Sequence, residues 1–128
     1  MSRYLLDTTA LIDFSKQREP SLSFIVGATR AGDQLGVCAI NVAEFYSGLP
    51  SDTHAKWDRF VGSLLYWEIT RTAATRAGEY RYDFARKGQI LSTTDALVAA
   101  VARENQATVV TSNIKDYPMT DIELLSLR

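Results

Sequence analysis

Short apolar runs of strand character alternate with spans of helical periodicity along the whole of this 128-residue chain. The strand-like runs are Arg3–Leu6, Leu35–Ile40, Leu65–Ile69, Thr108–Thr111 and Ile122–Ser126. Between them, Thr8–Ser15, Leu22–Thr29, Val42–Gly48, Asp52–Leu65, Thr72–Lys87 and Thr93–Glu104 carry the spacing of helices. Gly32, Gly48 and Gly88 stand where such helices should stop. Strands alternating with helices predict an α/β fold, with a mainly parallel sheet of four to five strands covered on both faces. Right-handed crossovers follow from that connectivity.

The length predicts one domain spanning residues 1–128. A net charge of −1 excludes a strongly basic nucleic-acid binder, although a local patch or a metal ion could still supply positive charge. The single cysteine, Cys38, allows neither an internal disulfide nor a zinc framework, and its apolar setting in LGVCAI predicts a buried thiol. The single histidine, His54, lies in the polar stretch SDTHAKWD and is expected at the surface, which argues against a histidine-based nucleophilic triad. The opening MSRYLLDTTALIDF is too short and too polar for a signal peptide or a membrane span, so a cytoplasmic protein without membrane contact is expected.

The acids carry the functional information. Asp7 ends the first strand, Glu44 lies about one turn into the helix after the second, and Asp95 begins a helix. Asn113 and Asp116 come just past the fourth strand. In sheets of this class, ligands bind in the crevice outside the carboxyl ends of the strands. Helix capping is a competing explanation for each acid. Asp7 could cap a helix, Asn41–Glu44 and Ser92–Asp95 have capping-box spacing, and Asn113–Asp116 could form a turn. Capping does not explain why the neighbourhoods are so apolar or why Lys115 is the only base within these stretches. Gathered carboxylates repel, and either their pKa values rise or a cation pairs with them. Mg²⁺, which takes oxygen ligands from one or two carboxylates plus waters, is the natural cation. Such an ion polarises a phosphate and activates water, so phosphodiester hydrolysis needs no histidine.

These segments, LLDTTALID, VAEFYSGL and TTDALVAAVARENQATVVTSNIKDYP, resemble the PIN-domain family and, within it, the VapC-type ribonuclease toxins of type II toxin–antitoxin pairs. The resemblance implies a Rossmann-like three-layer α/β/α sandwich, Mg²⁺ or Mn²⁺ dependence and endoribonuclease activity on an RNA substrate. It also implies inhibition by a cognate antitoxin protein, and homodimers. It places Asp7, Glu44 and Asp95 at the first three acidic positions, with Asp7 and Asp95 closest to the metal. Asn113 departs from one form of the fourth position, which favours Asp116. Thr9 and Thr111 match hydroxyl positions that order the acids or their waters.

Arg71, Arg76, Arg81, Arg86 and Lys87 recur along the long helix. They suit either a phosphate-tracking stripe, with Arg86 and Lys87 as RNA contacts, or a solvated face with Arg76–Glu79 and Asp83–Lys87 ion pairs. Phe45, Tyr46, Trp57 and Phe60 give the helices Val42–Gly48 and Asp52–Leu65 an aromatic surplus. The resemblance makes those two helices an antitoxin groove. Rival assignments are a non-catalytic PIN-like partner-binding domain, a receiver-type phosphoacceptor and an aspartyl phosphatase. The last two lack a second acid beside Asp7.

Overall fold

A computed structural model describes residues 1–128. Five parallel strands, β1 (Arg3–Leu6), β2 (Gln34–Val37), β3 (Leu65–Tyr66), β4 (Thr108–Thr111) and β5 (Leu124–Ser126), form one sheet in the order β3-β2-β1-β4-β5. The helices are α1 (Thr8–Ser15), α2 (Ser21–Arg30), α3 (Ala39–Ser47), α4 (His54–Ser63), α5 (Arg71–Arg86) and α6 (Thr93–Glu104). Strand β1 is central, with Leu5 in register with Gly36 of β2 and Val109 of β4. Its carboxyl end, at Asp7, is therefore the middle of one sheet edge. This is the α/β architecture that the alternating pattern predicted, and no helix is long and apolar enough to cross a membrane.

Two apolar layers sandwich the sheet. On one face Leu6, Leu11, Ile25, Val37, Phe45 and Val110 pack under α1, α2 and α3. On the other, Leu5 and Val109 meet α5 and α6. Helix α6 is the inner helix of that layer. Ala96, Val98, Ala99, Ala100, Val101 and Ala102 are all buried, and their small side chains let it lie close to the strands while α5 packs over it. Gly32 and Gly88, which follow α2 and α5, hold φ of 78° and 79°, the left-handed region where glycine carries no Cβ penalty. Gly36 serves close approach instead. The Trp67 ring lies against it, and a Cβ there would come within 2.6 Å of a ring carbon.

Several boundaries differ from the sequence expectation. The second strand stops at Val37 because Cys38 is already the N-cap of α3. Asn41 is therefore not the cap but the third helical residue, and it reaches back to accept the Cys38 N–H at 3.0 Å. Glu44 is left free of any capping duty. The span from Asp52 begins as a 3₁₀ turn, Ser51–Thr53, before α4. Strand β3 is two residues rather than five, so Trp67 leaves the ladder and folds over Gly36.

The aromatic surplus is largely consumed internally. Phe14 of α1 stacks on Phe60 of α4 at 4.6 Å, and Trp57 meets Phe14 and Phe45 edge-on at 6.2 and 6.1 Å. These contacts clamp α4, which has no fully buried residue, onto α1 and α3. The open apolar groove lies elsewhere, among α2, α4 and the edge of β2 and β3. It holds about 610 Å³ and is lined by Ile25, Leu35, Phe60, Leu64 and Leu65 among others. Cys38 is buried as expected. His54 is half-buried rather than fully exposed, with Nε2 3.1 Å from the Leu49 carbonyl oxygen and its ring edge-on to Tyr46.

Candidate active site

The carboxyl edge of the sheet holds a cleft of about 290 Å³ lined by Asp7, Thr8, Thr9, Asn41, Glu44, Ser47, Asp95, Val98, Asp116 and Tyr117. Four carboxylates thus come from four separate places: the end of β1, the middle of α3, the first turn of α6 and the 3₁₀ turn Ile114–Asp116 after β4. Each is delivered by local structure. Asp7 is the N-cap of α1, and Ser92 caps α6 by accepting the Asp95 N–H at 3.1 Å. Asp7 therefore both caps and faces the cleft, so the two explanations weighed for it are compatible.

Asp7 is the best-held group and is only 4% exposed. Its Oδ1 accepts from Thr9 Oγ1 at 2.6 Å and from the Ala10 N–H at 3.1 Å, while Oδ2 accepts from the Tyr117 hydroxyl at 3.2 Å. Burial pushes its pKa above the ordinary value, against hydrogen bonds from Thr111, Thr9, Ala10 and Tyr117 that pull it down. Asp95 is also pushed up, first by burial and then by repulsion from Asp116, Glu44 and Asp7, against a hydrogen bond with Ser92. The four carboxylates line one cleft and lie within reach of one another's charge. Burial and the Asp7 charge hold the Tyr117 phenol well above its usual value, so it remains a donor to Asp7.

A threonine lattice supports this floor. Thr9 Oγ1 accepts the Ser112 N–H at 2.9 Å and lies 3.4 Å from Thr111 Oγ1, which accepts the Asn113 N–H at 2.9 Å. Ser112 Oγ in turn donates to Asp13 at 2.8 Å. The start of α1 and the end of β4 are thereby locked together beneath Asp7. Glu44 is more exposed and is steadied by Thr8, whose hydroxyl donates to Oε1 at 2.6 Å.

Not every candidate residue reaches the cleft. Asn113 is exposed and lies outside the lining, whereas Asp116 is part of it. Arg86 and Lys87 are exposed and are likewise not in the lining. The guanidinium of Arg86 stacks over Tyr82 at 4.4 Å, and Lys87 lies over Phe84 at 5.3 Å. The expected Arg76–Glu79 and Asp83–Lys87 pairs do not form. The ion pairs present are Arg18–Asp13 and Arg103–Asp121. Sequence reasoning missed Thr8, Asn41 as a cleft residue, Ser112 and Tyr117. Tyr117 adjoins Asp116 in the chain, but its reach to Asp7 crosses 110 residues and leaves no local signal.

The cleft's ligating groups are all oxygen, without a sulfur or imidazole ligand. No three or more of its acids stand close enough together to hold a metal ion by themselves. Separated hard ligands of this kind suit an octahedral cation that keeps several waters, as Mg²⁺ does, rather than zinc. The donor set therefore fits a hard divalent ion.

The model of the PIN domain matches residues 4–117, nearly the whole chain. The chain belongs to the PIN domain family. It is 25% identical over 122 residues to Ribonuclease VapC2 of Haemophilus influenzae, covering 91% of each chain. It is 25% identical over 119 residues to Ribonuclease VapC2 of Rickettsia felis, covering 89% of each. Among solved structures it resembles VapBC2 from Rickettsia felis bound to a promoter DNA fragment, with a TM-score of 0.83 and 23% identity over 96% of this chain and 97% of that one. DNA-bound VapBC from Salmonella typhimurium also gives a TM-score of 0.83, at 21% identity and full coverage of both chains. These likenesses are of fold. The PIN sandwich thus carries the acidic cleft at its sheet edge.

Proposed function

We propose that this chain is a single PIN domain acting as a metal-dependent endoribonuclease, the toxin of a type II toxin–antitoxin pair that works in the cytoplasm. The observation that supports it most is the convergence of Asp7, Glu44, Asp95 and Asp116 on one oxygen-only cleft, in a PIN-family chain whose curated relatives are ribonucleases. Asp7 and Asp95 would hold Mg²⁺, or Mn²⁺ in its place: both line the cleft, and burial pushes both above the ordinary carboxylate value, so a cation beside them would favour their ionised forms. Such an ion supplies charge to a phosphoryl oxygen and a nucleophile at neutral pH. The protein's part is to place the ligands. The caps on α1 and α6 fix Asp7 and Asp95, Thr8 aims Glu44, and the turn after β4 brings Asp116 to the rim. Glu44 and Asp116 would orient water at the site.

RNA would approach the open sheet edge, with Arg86 and Lys87 as outlying phosphate contacts. An antitoxin would lay an apolar segment in the groove among α2, α4 and β3. Homodimers fit the same reading. The test is cleavage of total cellular RNA by antitoxin-free protein with Mg²⁺ or Mn²⁺, beside EDTA and Asp7→Asn controls. Discrete metal-dependent fragments absent from both controls are expected. Intact RNA with either metal would shift the assignment to a partner-binding PIN domain without catalysis.

A further inference from the structure

One polar group in the cleft has no use in the scheme above. Asn41 is 1% exposed, and its Nδ2 has no hydrogen-bond partner among the protein's atoms. The orientation of its amide is not arbitrary. Oδ1 accepts the Cys38 N–H at 3.0 Å and lies 3.4 Å from the Cys38 thiol, so only the oxygen can occupy that side. Turning the amide over would set two donors against each other. Nδ2 is therefore the group left for the cleft that Asn41 lines.

Buried donors without acceptors are rare in folded proteins, and the exceptions call for a reason. Across the same cleft stands the Asp95 carboxylate, on α6, which packs against α3. The Asp95 backbone N–H donates to Ser92 Oγ at 3.1 Å, while no side-chain or backbone donor is placed on the carboxylate oxygens, and a carboxylate has about four acceptor positions. An orphan donor and an under-used acceptor thus share one small space. Carboxylates that hold metal ions are themselves generally held by outer hydrogen bonds, which fix their orientation.

We propose that Asn41 is a positioning residue for the metal site, its Nδ2–H donating to the Asp95 carboxylate when the cation is bound and holding that ligand in its coordinating orientation. This rests on the assignment of Asp95 as a metal ligand. Asn41 touches neither substrate nor ion. It joins the helix start at Cys38 to the ligand on α6 through the two ends of one amide.

The test is Mn²⁺ affinity by calorimetry on the full chain, free of antitoxin, for wild type, Asn41→Val, Asn41→Thr and Asp95→Asn, and for each Asn41 variant combined with Asp95→Asn. Circular dichroism melting checks that each protein folds. The threonine hydroxyl can still accept the Cys38 N–H but is too short to cross the cleft, which protects the experiment should the valine variant not fold. Loss of one outer hydrogen bond to a ligand weakens metal binding by about 10–100-fold. That loss is expected in both single Asn41 variants. In the Asp95→Asn background, where the charged acceptor is gone, changing Asn41 should alter Mn²⁺ affinity by less than about 3-fold. A purely structural role for Asn41 would lower the melting temperature and leave Mn²⁺ affinity at the wild-type value, overturning the proposal. Equal losses with and without the Asp95 carboxylate would overturn it as well. Wild-type protein that binds no Mn²⁺ would remove the metal site itself, and the nuclease assignment with it.

Discussion

Replacing Asp7 by asparagine should stabilise the metal-free protein while abolishing its activity. The substitution changes little except charge. An asparagine oxygen can keep the bonds from Thr9 and the Ala10 N–H, and the Tyr117 hydroxyl can turn to accept from the new amide. Asparagine is also as good an N-cap as aspartate. What is lost is a buried negative charge whose pKa the fold raises. A carboxyl with a raised pKa favours folding only while protonated, so its contribution is present in full below the ordinary value of 3.8 and is lost as pH climbs through the raised value. At neutral pH without metal the wild type therefore carries a penalty that the variant escapes. Single stabilising substitutions commonly yield about 0.5–2 kcal/mol, and each kcal/mol moves the melting temperature by roughly 3–5 °C in a domain of this size.

The order should reverse with metal. An ion at 100 times its dissociation constant stabilises the folded form by about 2.7 kcal/mol, and only the wild type would collect that in full. Thermal melts at pH 7 in EDTA and in saturating Mn²⁺, and in EDTA near pH 3.5, test all three limbs. The variant should melt higher in EDTA at pH 7, lower in Mn²⁺, and level with wild type in acid. A variant less stable than wild type in EDTA at pH 7, or stabilised equally by Mn²⁺, would refute the view of Asp7 as a buried charge awaiting a cation.

Three further outcomes are expected. Gly36→Ala should destabilise by about 1–3 kcal/mol in urea unfolding, because its Cβ would meet the Trp67 ring at 2.6 Å, and Trp67→Leu should absorb part of that loss in the double variant. Tyr117→Phe deletes the donor to Asp7 Oδ2, so metal-free stability should fall by about 1.5–3 kcal/mol, the scale of a hydrogen bond to a charged group, and RNA cleavage should weaken with it. Thr8→Val should lower the rate of RNA cleavage by releasing Glu44, with less than about 1 kcal/mol change in stability since the pair is exposed. Cleavage at the wild-type rate would show that Glu44 needs no aiming.

Much of this protein is legible in its sequence. Alternation of apolar runs with 3.6-residue periodicity is a local property, and it led to the parallel α/β sheet. Strand ends and helix starts are local too, which is why Asp7, Glu44, Asp95 and the Asn113–Asp116 turn could be placed at one crevice; the preference for Asp116 came from the family resemblance, and all four acids line the cleft. Where two local solutions compete, sequence could not choose. Asn41 had the look of a helix cap, yet the helix begins three residues earlier because Cys38, the extended residue just past β2, is its N-cap. The spacing of Arg76 with Glu79 permits an ion pair, but exposed long side chains gain little from pairing, and none forms.

What tertiary structure alone decided is which distant groups meet. The bond from Tyr117 to Asp7 spans 110 residues, that from Thr8 to Glu44 spans 36, and the lattice of Thr9, Thr111 and Ser112 joins the two ends of the chain. Aromatic residues of α1, α3 and α4 fill one another's surface, which moved the open apolar groove over to α2. Such meetings depend on strand order and register, and these are set by closure of the whole core. Periodicity and capping act within a turn or two of helix and so are written in the sequence. Contacts across the sheet edge are written only in the packed fold.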